Sequence, residues 1–175
     1  MYVVRHHLTV APGDQAGLLA EAETAHAALR SAPGFRWAMV LRSAGDASRL
    51  AAVAMWLKRE DAGNAGLPVQ HYDVATARGS MTPAAVVAIV DWQVDPANAA
   101  AFVNRWNAVY HAIEDRISSR LLQDMDEPAR YAGLHVATSE ANLKQDVLAA
   151  AIEDGGPDVS PQAIERFDVI SLVEA

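Results

Sequence analysis

The sequence predicts an α+β fold of two tandem β-α-β-β-α-β units packed sheet to sheet. Three features lead there: an internal repeat, a change of apolar period in the same order within each copy, and strands that are apolar on both faces. The repeat comes first, because it decides the architecture. Val10-Ala11-Pro12 laid over Val94-Asp95-Pro96, a shift of 84 positions, puts Leu18-Leu19 on Phe102-Val103, Ala28-Leu29 on Ala112-Ile113 and Arg36 on Arg120. After a three-residue gap Arg49-Leu50-Ala51 meets Arg130-Tyr131-Ala132, and Tyr72-Asp73-Val74 finally meets Phe167-Asp168-Val169. Identity is low, yet apolar runs and breakers agree in order from end to end. The copies span 1–80 and 83–175, joined by the short link Arg78-Gly79-Ser80-Met81-Thr82-Pro83.

Each copy opens with a strand. Tyr2, Val4, His6, Leu8 and Val10 alternate with Val3, Arg5, His7 and Thr9, the period of two that a strand requires. Pro12-Gly13-Asp14 breaks the run and offers Asp14 as a helix N-cap. Leu18, Ala22, Ala25, His26 and Leu29 then share one helical face, and Ala99, Phe102, Val103, Trp106, Val109, Tyr110 and Ile113 repeat it as a fuller apolar stripe. Pro33-Gly34 ends the first helix. Strands at about 36–42 and 49–57 flank the turn Ser43-Ala44-Gly45-Asp46. Residues 58–66 predict a short, poor helix, and their counterpart 139–152 a long one. A last strand, 69–77 or 166–173, closes each unit. In the third strand Ala51, Val53 and Met55 face one way and Ala52, Ala54 and Trp56 the other, so both faces are buried. A β-α-β-β-α-β unit is ferredoxin-like and covers only one sheet face with its helices. Two such units packed sheet to sheet solve this as a pseudo-dimeric α/β barrel.

Composition removes several functions. Fourteen Lys plus Arg stand against 22 Asp plus Glu, a formal charge of −8, and only Lys58 and Lys144 are lysines. Such a chain has no electrostatic footprint for nucleic acid. It has no cysteine, so disulfides, thiolate metal sites and Cys nucleophiles are excluded. The six His show no metal-ligand spacing, and no metal is expected. His135 alternates with Gly133 and Ala137 on a strand and has no acidic neighbour in sequence. Leu50–Leu57 and Ala84–Val90 are the longest apolar runs, far short of a membrane span, and MYVVRHHLTV is no signal peptide. The expected location is the cytoplasm.

Pro33-Gly34-Phe35, the hairpin after it, and Arg49-Leu50-Ala51-Ala52-Val53-Ala54-Met55-Trp56 followed by Lys58-Arg59-Glu60-Asp61-Ala62 resemble the antibiotic biosynthesis monooxygenase family of the dimeric α+β barrel superfamily. Arg120-Leu121-Leu122 and Pro128-Ala129-Arg130-Tyr131 look like the same hairpin in the second copy, so the resemblance spans nearly the whole chain in a tandem two-copy form. It implies an oxidoreductase that acts on aromatic polyketide quinols, or on haem, in a pocket between helices and sheet. The haem-degrading branch resembles this chain at His6, where it has a pocket asparagine, and at Trp56, where its Trp contacts the porphyrin. Its iron-ligating His falls here in Gly63-Asn64-Ala65-Gly66-Leu67, which has none, so haem binding or degradation is a minor reading.

The leading expectation is a cofactor-independent monooxygenase for a flat aromatic phenol or quinol, with no cofactor. His6 and His26 are the candidate bases, because imidazole titrates near neutral pH. Trp56, Tyr72, Leu8 and Leu29 are the candidate substrate-binding residues. Each also has a plainer reading: His6 as a core-edge histidine bonded to a carbonyl, Trp56 as core, His26 as a helix-face histidine matching Tyr110, and Tyr72 as packing matched by Phe167. Val90 and Ala137 hold the places of His6 and Trp56 in the second copy, which makes the first copy the candidate active pocket and the second a degenerate or structural partner. The rival expectation is a non-catalytic ligand-binding or stress-associated barrel protein. A small aromatic substrate is the expected partner, with no nucleic acid or membrane, and a homodimer is left open.

Overall fold

Alternation in the first ten residues becomes strand β1, Tyr2–Thr9, in the computed structural model. The structure describes residues 1–11, 14–62, 69–81, 83–113, 117–143, 159 and 161–175, and the side chains of Gln15, Glu23 and His26 lie outside the description. Helix α1, Gln15–Leu29, follows Asp14, which stands at the N-cap without a side-chain capping bond. Strands β2 (Phe35–Ser43) and β3 (Arg49–Trp56) form the hairpin, and a 3-10 turn at Arg59–Ala62 is the described part of the expected poor helix. Gly34, at φ 72°, turns the chain from α1 into β2, a backbone conformation that suits glycine. Strand β4 is Gln70–Arg78.

The second half runs β5 (Val86–Gln93), a 3-10 turn at Pro96–Asn98, α2 (Ala99–His111), β6 (Ile117–Asp124), β7 (Arg130–Ala137) and β8 (Pro161–Glu174). Asp95 caps the 3-10 turn by accepting from the Ala97 amide at 2.8 Å. Of the helix expected at 139–152, the description reaches Leu143 and the rest lies outside it.

Two compact units result: Met1–Tyr72 with Phe167–Ala175, and Asp73–Arg166. In the first, β3 lies between β1 and β2, and β2 takes β8 as its other neighbour, with Ala38 opposite Val173 and Val40 opposite Ser171. In the second, β7 lies between β5 and β6, and β6 is followed by β4. Strand β8 neighbours β5 as well as β2, and β4 neighbours β1 as well as β6, so each copy has its own last strand beside its first, as expected, and the second neighbour of each is what the sequence did not show. Alternation identifies a strand but carries no information about which edge it joins.

The strand registers also move the repeat's gap. His6 pairs with Ala52 and Val90 with Gly133, while Val40 pairs with Ala52 and Leu121 with Gly133. Met39, not Arg36, thus occupies the place of Arg120, and the three-residue gap falls before β2. The turns agree: Arg49 N–H donates to Asp46 at 3.0 Å and Arg130 N–H to Glu127 at 2.7 Å. Strand β1 is tied to the same hairpin by Val10 N–H to Ser48 O, and β5 by Val94 N–H to Ala129 O, each at 2.8 Å.

Burial differs between the units. On α2, Phe102, Trp106 and Tyr110 are buried at the spacing that places them in one stripe against Val90, Trp92 and Tyr131. Helix α1 buries no described side chain: Leu18, Leu19, Ala22 and Leu29 are only half-buried and Ala25 is exposed, so the apolar face expected of it is not covered. Its alanines supply helix propensity without the bulk to fill a gap.

Candidate functional site

Side chains at even positions of β1 and β3 share one face of the first sheet, the face whose odd-numbered opposite includes Val3, Val53 and Met55. Along it Tyr2 pairs with Trp56, Val4 with Ala54, His6 with Ala52 and Leu8 with Leu50. Val4, Leu8, Ala52 and Ala54 are half-buried, although they sit mid-strand in a sheet whose other face is closed. Small residues on the sheet and a thinly packed helix leave a half-open apolar floor. His6 stands on it at 8% exposure, and its Nδ1 is buried without a hydrogen-bond partner among the described residues. A buried polar atom with no partner costs about 1–3 kcal/mol, a cost that a ligand or water bonded to this nitrogen would relieve.

Trp56 ends the floor, 5% exposed and edge-on to Phe35 with ring centroids 5.2 Å apart. Beside it the Tyr2 hydroxyl is hydrogen-bonded to His71 Nδ1, and the two rings stack at 16°. His71 therefore lies on the His6 side of the sheet. Tyr72, its neighbour in β4, faces the opposite side and is 2% exposed. His6, Leu8 and Trp56 are thus on one face. Leu29 is half-buried on α1, and the His26 side chain lies outside the described residues. Tyr2 and His71 were not singled out from sequence. Alternation places Tyr2 with His6, but the partnership between residues 69 apart has no local signal.

The matching face of the second unit is filled. Val90 replaces His6, and Ala137 pairs with Val86 where Trp56 pairs with Tyr2. His135, fully buried, stacks on Tyr110 at 4.5 Å and 23°, and lies near Trp106 and Trp92 at 6.1 and 6.4 Å. Its Nδ1 is 3.0 Å from Ser119 Oγ, and burial pushes its pKa down to about 3, so it is a neutral core residue. Gly133 makes this packing feasible, since a Cβ there would stand 2.4 Å from His135 Nε2 and 2.7 Å from the Trp92 ring. Arg120, buried on β6, donates to Arg78 O at 2.6 Å, Gly79 O at 3.1 Å and Ser119 O at 2.8 Å, and burial lowers its pKa. It fastens the link between the two halves of the sequence.

Among the described residues no group of three or more His, Asp or Glu could hold a metal ion, and no helix is long and apolar enough to cross a membrane. The segment 63–67, which aligns with the haem-ligand region, lies outside the description.

No curated protein sequence matches the chain. Its fold is shared with solved structures of low identity. A Fusobacterium nucleatum protein named "putative monooxygenase" superposes with TM-score 0.80 at 10% identity, over 99% of this chain and 94% of that one. An anthrone oxidase-like protein gives TM-score 0.68 at 14% identity, over 99% and 92%. A haem-degrading enzyme from Listeria monocytogenes gives 0.59 at 11%, over 96% and 99%. A family model, antibiotic biosynthesis monooxygenase, matches residues 1–64, the stretch that holds β1, α1, the β2–β3 hairpin and His6. The matched model is that of the family which the sequence resembles, and the match lies within the first 64 residues.

Proposed function

We propose that the first unit is a cofactor-independent monooxygenase for a flat aromatic phenol or quinol. The observation that carries the reading is His6 Nδ1, buried and, among the described residues, without a partner on an apolar floor that is half open. The substrate lies flat over Val4, Ala52 and Ala54, and His6 takes the proton of its hydroxyl. The resulting phenolate passes one electron to O₂. The radical pair combines to form the C–O bond, and for a ring CH₂ the peroxide then loses water to leave a carbonyl. Substrate and O₂ supply every electron, while the protein contributes the slot, the base and a dry surface. The fold relative named anthrone oxidase-like agrees with a tricyclic substrate of this kind.

The matching registers of the two halves support the tandem pseudo-dimeric reading, with the filled second unit as structural partner. A cytoplasmic location and a small aromatic molecule as partner complete the proposal. The test is oxygen uptake with 1,8-dihydroxyanthrone, comparing the wild type with His6→Gln and with Ala52→Leu, which fills the floor. Uptake above the spontaneous rate that falls about 100-fold or more in both folded variants is expected, the usual size of a lost acid–base contribution. Uptake equal to the spontaneous rate sinks the oxygenase; if a quinone still binds, a non-catalytic ligand-binding protein replaces it.

A further inference from the structure

The Tyr2–His71 pair has no part in the reaction above, yet it stands on the same face as His6. Tyr2 and His6 are four residues apart on β1, a separation of about 13 Å at the rise of a strand. Between them the floor is Val4, Ala52 and Ala54, apolar, small and half-buried. The face thus has a polar station at each end and a flat apolar stretch between. The bond to Nδ1 runs in either direction with the tautomer; where the Tyr2 hydroxyl is the donor, the ring proton of His71 is on Nε2, a donor on a half-buried side chain.

We infer that Tyr2 and His71 form a second recognition station that selects ligands of about three linearly fused rings with an oxygen at each end. His71 Nε2–H donates to the far oxygen while His6 meets the near one; a single ring cannot reach both. This rests on the floor being a ligand site, as in the reading above. Tyr2 fixes the tautomer and orientation of His71 and is a positioning residue.

The experiment compares dissociation constants for 2,6-dihydroxyanthraquinone, with a hydroxyl at each end, and 2-hydroxyanthraquinone, with one. The wild type is expected to favour the two-ended ligand about tenfold. Tyr2→Phe and His71→Leu each remove that preference and leave the one-ended ligand unchanged, whereas His71→Gln, which can still donate, retains part of it. A preference absent from the wild type, or surviving both variants, overturns the inference. If both ligands bind and His6→Gln weakens both equally with no preference to lose, only this inference falls. If neither binds the wild type, the ligand-site reading falls with it.

Discussion

A proton on His135 would place a charge among Trp92, Trp106 and Tyr110, out of reach of water. Its pKa is therefore depressed, to about 3 from the ordinary 6.5, and the consequence for stability has a definite sign. The unfolded chain binds this proton near pH 6.5 and the folded one does not. The folded state accordingly keeps its full stability above that value and loses it as pH falls toward 3. At about 1.4 kcal/mol per unit, the loss from this group reaches about 2–3 kcal/mol by pH 4.5. Urea unfolding at pH 7 and 4.5 should show that drop in the wild type, and His135→Leu should show a smaller one by the same amount. Equal drops would mean that some other group sets the acid sensitivity. From sequence His135 carried only its alternation with Gly133 and Ala137; its neutrality depends on rings from two other elements, β5 and α2. The period of two sets His6 with Val4 and Leu8, and Trp56 with Ala52 and Ala54, but that the two rows share a face follows only from the β1–β3 register.

The two helices come from matching stretches of sequence and end in different environments. Helix α2 inserts Phe102, Trp106 and Tyr110 into a closed core, while α1 presents alanines and half-buried leucines. Helical stability in proteins derives mostly from such packing. Amide hydrogens of α1 should therefore exchange faster than those of α2, and adding the 1,8-dihydroxyanthrone analogue 1,8-dihydroxyanthraquinone should slow α1 selectively. Uniform protection of both helices in the free protein would contradict the thin packing of α1. Both helices were visible in the apolar period. That one of them would cover its sheet only loosely was not, since Leu18, Ala22 and Leu29 satisfy the period as well as larger residues do; volume, not periodicity, decides closure.

At the scale of the molecule, the final strand β8 pairs with β2 from the first half of the sequence. Val173, 8% exposed, lies opposite Ala38 of the first unit. Val173→Asp should cost about 2–4 kcal/mol through buried charge and lost packing, with faster amide exchange at Ala38 and Val40 on β2. Faster exchange confined to β5 and β7 would place the strand elsewhere. The second neighbour of each last strand escaped the sequence because a strand has two usable edges, whereas the β2–β3 and β6–β7 hairpins, joined by short turns, have only one plausible partner each. The β2–β8 pairing also sets a timetable for synthesis. The first 72 residues leave the ribosome with the β2 edge bare, and the part of β8 that covers it begins only at Phe167. At ordinary translation rates that wait is on the order of 5–20 s. A nascent chain stalled before residue 167 would expose the β2 edge to any neighbouring strand.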